Sequence, residues 1–102
     1  MTVYMVVDLE ITDPEGYARY QPAARAALAR LGGSGRVIIR GGRDGSGRTD
    51  PLEGDWMPER FVVVEFPDRA AAEGFYYSDE YQSVLKLRLA SSRSRAFFVE
   101  GE

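Results

Sequence analysis

Neither cysteine nor histidine occurs in this chain. Without cysteine there is no disulfide framework, no thiol nucleophile and no sulfur-ligated metal or cluster. Without histidine, Ser-His and Cys-His catalysis, the usual zinc sites and a histidine-ligated haem are excluded as well. A basic excess is missing too: sixteen acids against thirteen bases leave a net charge of -3, which argues against nucleic acid as a partner, since phosphate-backbone binders carry surplus positive charge. Lysine is reduced to Lys86, the other twelve bases being arginine. No segment approaches the roughly 20 apolar residues a membrane helix needs. The apolar run at residues 3–7 lacks a basic leader and is interrupted by Asp8 and Glu10, so it does not read as a secretion signal. These absences predict a cytoplasmic protein with no membrane partner and no cofactor, because carboxylates alone favour weakly held hard ions. Whatever chemistry the chain performs must use Arg, Asp, Glu, Tyr, Ser, Thr or Lys86.

What is present is enough for one modest core and therefore one domain, residues 1–102. Residues 3–10 (VYMVVDLE) are β-branched and aromatic and read as a strand that stops at Thr12, Asp13 and Pro14. Asp13 and Pro14 then form a helix start, with Tyr17, Tyr20, Ala24, Ala27, Leu28 and Leu31 on one face and Gly32–Gly33 at the end. Pro22 predicts either a separate first turn or a bend. A second strand is expected at residues 36–40 (RVIIR) and a third at 60–66 (RFVVVEF), with a long Gly/Asp/Pro-rich loop over 43–58 between them. A helix from Pro67 and Asp68 to Phe75, a shorter one capped by Ser78 and carrying Tyr81, Val84, Leu85 and Arg88, and a strand at 96–100 complete the chain.

The order strand, helix, strand, strand, broken helix, strand predicts an α+β fold, the ferredoxin-like βαββαβ protomer with a four-stranded antiparallel sheet. In such a sheet both helices cover one face, and a solvated opposite face should alternate apolar and polar residues. These strands do not alternate: residues 3–7, 37–39, 61–64 and 97–99 are continuous apolar runs. A second copy of the sheet is the economical cover, so a homodimer is expected.

GRVIIRGG at 35–42, LEGDWMPERFVVVEFPD at 52–68 and FYYSDEYQ at 75–82, with Arg88 and Ala90, resemble the domain-of-unknown-function-1330 family, almost end to end. The resemblance implies the dimeric α+β barrel superfamily, in which the open sheet faces of two protomers pair, often around a small pocket. That superfamily includes cofactor-free oxygenases, isomerases, cyclases, decarboxylases and haem enzymes, so the fold alone settles little. Set against that resemblance, the loop RDGSGRTDP after Gly42 looks longer than usual, which implies a different access at that rim.

Counting alternate residues along the strands places Glu65 with Phe61 and Val63, Arg40 with Ile38, and Asp8 with Tyr4 and Val6. If the purely apolar sets face the helices, Asp8, Arg40 and Glu65 all point into the dimer barrel. There they form either an Arg40–Glu65 ion pair that fixes register or a catalytic set, in which Glu65 or Asp8 is general base and Arg40 holds developing negative charge. Trp56 and Arg60 flank Pro58 at the entry to the third strand and are candidate substrate contacts, Trp56 to exclude water and Arg60 to hold an anionic group. Tyr81 is the candidate hydroxyl donor, while the other tyrosines read as core. Two classes of function follow. One is a cofactor-free enzyme (proton transfer, cyclase, isomerase or oxygenase chemistry) acting on a small aromatic or polyketide-like metabolite. The other is a non-catalytic metabolite binder or purely structural homodimer. Light scattering coupled to size exclusion at micromolar concentration should return twice the mass of the 11.4 kDa chain; a monomer mass overturns the barrel.

Overall fold

Where β-branched residues are densest the chain is extended. In the computed structural model, which describes residues 1–102, β1 runs Val3–Ile11 and sends Val3, Met5, Val7 and Leu9 to one buried face. Tyr4, Val6, Asp8 and Glu10 therefore share the other. The third strand in sequence, β3 (Arg60–Phe66), pairs antiparallel with β1, setting Val3 opposite Phe66 and Val7 opposite Val62. A shorter β2 (Arg36–Gly41) pairs outside β3, and β4 (Ser92–Glu100) pairs on the other side of β1. The order β2-β3-β1-β4, antiparallel throughout, is the expected ferredoxin-like sheet.

Three helices close over the face that carries Val3, Met5 and Phe66. The first, α1 (Pro14–Leu31), begins after Asp13 with Pro at its first position and continues unbroken past Pro22. It is neither split nor opened there, because Pro22 and Ala18 both lie on the exposed side, where the carbonyl that loses its donor is open to water. The expected break in the second helical region is real. After α2 (Arg69–Tyr76), whose Asp68 carboxylate accepts from Ala71 N at 2.8 Å, comes α3 (Asp79–Ser91), whose Ser78 Oγ accepts from Tyr81 N at 3.1 Å. Side-chain acceptors at these two helix starts satisfy amides that would otherwise go unpaired.

Two elements depart from the sequence reading. β4 starts at Ser92, not at residue 96, and it follows α3 without a loop. Its polar first half is stabilised across the sheet instead of by burial: Arg93 pairs with Glu10 at 3.0 Å and Arg95 with Asp8 at 2.8 Å. The larger departure is in β2. Arg36 faces Glu65 and Val37 faces Val64, but the next pairs are Ile39 with Val63 and Arg40 with Val62. Ile38 is thus an extra residue, a β-bulge, and every side chain beyond it changes face. Ile39 joins the open face, whereas Arg40 turns under the helices, away from Glu65. The Arg40–Glu65 pair, one of the two sequence-based alternatives, does not form; Arg36 stands 3.7 Å from Glu65 instead.

Between helices and sheet, Phe66, Phe75 and Tyr81 stack in series, with ring centroids 5.7 and 4.4 Å apart, at the centre of the core. Phe66 is fully buried. Phe66→Ala should cost about 3–5 kcal/mol, read as a lower urea midpoint; a loss below ~1 kcal/mol would mean that the site collapses freely.

Candidate functional site

Small residues make room under α1. Ala24 lies one turn from both Tyr20 and Leu28 on the same helical row, so an alanine separates two large side chains facing the sheet. The resulting cleft is floored by Met5, Val7 and Leu9 of β1 and by Val37, Val62 and Val64 of the neighbouring strands, and Phe75, Tyr81 and Arg88 complete its lining. Its cavity volume is about 70 Å³, room for a few ordered waters or the head of a small ligand. Tyr17, Gln21, Arg40 and Val62 also line an outer vestibule of about 310 Å³, rimmed by Arg60 and by Asp44, Gly45 and Ser46 of the long loop.

That loop is tied down on both sides. Arg43 N donates to Pro58 O at 2.9 Å, Asp44 N to Glu59 O at 2.8 Å and Gly42 N to Thr49 Oγ at 2.8 Å. Gly42 has φ 102°, and a Cβ there would meet Glu59 O at 2.6 Å, so this turn requires glycine. The vestibule therefore has a fixed rim.

Polar groups in the cleft are tyrosine and arginine. The Tyr20 and Tyr81 hydroxyls are hydrogen-bonded at 2.7 Å, and the Tyr17 and Tyr20 rings lie 5.5 Å apart. Arg60 sits over the Tyr17 ring and Arg88 over the Tyr20 ring, each 5.9 Å from the centroid, within cation–π range. Arg88 is only 2% exposed and donates through Nη1 to Ser94 Oγ at 2.9 Å. Burial pushes the Tyr17 hydroxyl above its ordinary pKa, against the opposing pull of Arg60, Arg88 and Arg40. Burial, and then the Tyr81 hydroxyl, push Tyr20 up as well. Both hydroxyls stay protonated at neutral pH, and either oxygen of the Tyr20–Tyr81 pair can be its donor.

Of the residues singled out from sequence, Arg40, Arg60 and Tyr81 meet at this cleft and its vestibule. Asp8, Glu65 and Trp56 do not. Asp8 and Glu65 lie on the open face of the sheet, paired with Arg95 and Arg36. Trp56 is 66% exposed and lines a separate charged groove with Asp8, Glu59 and Arg93. Tyr17 and Tyr20, read as core, are the polar wall of the cleft, and Arg88 was passed over although a charge on the same helical face as Tyr81 and Leu85 was the signal. No group of three or more acidic side chains converges to hold a metal ion. No helix is long and apolar enough to cross a membrane.

The sequence matches the family described as "Domain of unknown function (DUF1330)" over residues 2–102. No curated protein matches it. Among solved structures, a protein of unknown function from Rhodopseudomonas palustris is similar at 19% identity and TM-score 0.71, covering 99% of this chain and 82% of that one. SnoaB, a cofactor-independent oxygenase from Streptomyces nogalater, is similar at 14% identity and TM-score 0.67, with 99% and 93% covered. A dimeric ferredoxin-like protein of unknown function from Jannaschia sp. CCS1 is similar at 19% identity and TM-score 0.64, with 99% and 100% covered. At these identities the likeness establishes the fold alone.

The raised tyrosines carry a pH signature. Below the ordinary value of 10.0, folded and unfolded chains both hold these protons and stability does not depend on them. Above it only the unfolded chain ionises, so stability is lost as pH rises towards the folded-state values. Urea melts at stepped alkaline pH should show this loss beginning near pH 10, and Tyr20→Phe should lose less over the same range. An equal slope in the variant removes Tyr20 as the cause.

Proposed function

Since this chain belongs to the DUF1330 family, a family whose description assigns no activity, we propose that it is a homodimer in which each protomer takes up a small aromatic metabolite in the cleft beneath α1. The observation that carries this reading is the cleft itself: apolar walls from β1, β3 and α1 converge on a few fixed donors, the usual design of a small-molecule site. The catalytic form of the reading is cofactor-independent chemistry, supported by the fold shared with SnoaB and by a side-chain repertoire without cysteine or histidine. The non-catalytic form is reversible capture of the same molecule. It is favoured by one specific feature, the lack of any carboxylate in the cleft to serve as general base.

Dimerisation is assigned to the open sheet face, where Ile39, Phe97 and Val99 stay exposed in the single chain. The dimeric Jannaschia protein of like fold supports it. Asp8–Arg95, Glu10–Arg93 and Arg36–Glu65 flank this apolar patch. Exposed, such pairs are worth about 0–1 kcal/mol each; at the edge of an interface they add orientation more than affinity. On this reading Asp8 and Glu65 serve assembly, and Arg40, Arg60 and Tyr81 serve the ligand.

Two substitutions separate the two assignments. Phe97→Glu, at a side chain 58% exposed in the protomer, should yield a folded monomer by light scattering, and a persisting dimer overturns the interface. Ala24→Phe should fill the cleft and leave the dimer intact, while native mass spectrometry of protein purified from its own source loses any small aromatic molecule the wild type retains. If the variant retains that molecule equally, the cleft is not its site.

A further inference from the structure

The sixteen acidic residues of this chain outnumber its bases, yet none of them lines the cleft beneath α1. Four arginines do line that cleft and its vestibule; beyond Arg25, which is exposed on α1, Arg40, Arg60 and Arg88 gather there. None is in an ion pair, although eight such pairs form elsewhere in the protein. The acid nearest the mouth, Asp44, faces the vestibule and is held 3.9 Å from Arg43. Arg60 lies over the Tyr17 ring and Arg88 over the Tyr20 ring, and those two rings are 5.5 Å apart, while Arg40 lines both cavities beside Tyr17.

Burying Arg88 near the half-buried Arg40 and Arg60 costs free energy that neither aromatic stacking nor a neutral serine offsets. Arg88 has Tyr20 and Ser94 for neighbours, and both are neutral. Two donors are also left over: the Nε atoms of Arg60 and Arg88 are buried and have no hydrogen-bond partner. An unsatisfied buried donor on a charged group is among the costlier defects a native protein retains, and its presence calls for an explanation. A ligand bearing planar, negatively charged oxygens would supply what both groups lack, because a guanidinium edge matches a carboxylate in geometry as well as charge. The walls around Arg88 are Val, Leu, Met and Phe, whereas Arg60 stands at the vestibule beside Tyr17, Phe61 and Val62, which favours an apolar body with a charged head over a bare inorganic anion.

We infer that the cleft is specific for a small planar organic anion, of carboxylate or enolate type, whose charged oxygens are held by Arg60 and Arg88 while its apolar body lies between α1 and the sheet. The inference rests on the proposed ligand site and adds the charge of its occupant. Arg40, at the boundary of cleft and vestibule, draws the anion inward, and the protonated Tyr17 and Tyr20 donate without competing for the negative charge.

Benzoate and its neutral isostere benzamide are suitable probes, followed by calorimetry and by the arginine Nε–H resonances in a nitrogen-correlated NMR spectrum of the full chain. Benzoate should bind about tenfold or more tightly than benzamide and should shift the Nε–H signals of Arg60 and Arg88. Arg60→Met, at the more accessible of the two, should abolish that preference by weakening benzoate far more than benzamide; Arg88→Lys should reduce it with charge retained. Equal binding of the two probes, or a preference that survives Arg60→Met, overturns the anion assignment. The Ala24→Phe variant distinguishes the two levels: if it abolishes an unselective binding, the site stands and its anion specificity falls. If neither probe binds wild type at millimolar concentration, both fall.

Discussion

The two-residue period of β1 orients the rest of the molecule. As an inner strand β1 is hydrogen-bonded on both sides, so once Val3, Met5, Val7 and Leu9 are committed to the helix side, the registers with β3 and β4 decide the face of every residue opposite them. Phe66, Val64 and Val62 must join the core, and Phe97, Val99, Arg95 and Arg93 must face away from it. The helices then have only one surface on which to lie, and α1 brings its tyrosines down over the sheet because they share a helical face with Leu28. Neither the cleft nor the apolar patch could be moved to the other side without unburying the centre of the core.

One residue redistributes charge within that frame. Ile38 is accommodated as a bulge, and beyond it the alternation of β2 is inverted relative to β3. Without it Arg40 would stand on the open face among the ion pairs of the sheet surface. With it Arg40 lies under α1 beside Tyr17 and Gln21, at the boundary of cleft and vestibule. The molecule thereby has two electrostatic faces: balanced pairs on the outside of the sheet, and uncompensated arginine on the inside.

Much of this architecture can be read from residue order. The bounds of β3 coincide with RFVVVEF, and the acceptors at Asp68 and Ser78 mark two helix starts that the structure reproduces. The bulge is illegible, because nothing in VII at 37–39 sets the extra residue apart; glycine marks only one class of bulge, and here the irregularity follows from how β2 meets β3. The early start of β4 is hidden for a different reason. SRSR at 92–95 has no apolar member, and its strand conformation depends on partners more than 80 positions away in sequence. The candidate site divides along the same line. Arg60 and Tyr81 could be singled out by type and location, but their association with Arg40 and Arg88, and the exclusion of Asp8, Glu65 and Trp56, depend on which side of a pleat each residue occupies.

The direct passage of α3 into β4 sets a rule about insertions and deletions. Ser91 Oγ donates to Leu87 O and Ser92 Oγ to Arg88 O, each at 2.6 Å, so the last helical carbonyls are capped by the residues that begin the strand. No slack separates Arg88, which ends in the cleft, from Arg93 and Arg95, which end on the opposite face. One residue added at this junction would advance β4 by half its period, turning two charges under the helices and Phe98 out to solvent. A doubling of the loop between β2 and β3 would cost only about 0.6 kcal/mol in closure entropy. Length can therefore vary at the loop that rims the vestibule and not at the junction beside Arg88, and on the proposed reading the segment free to lengthen is the one that would set what size of molecule can enter.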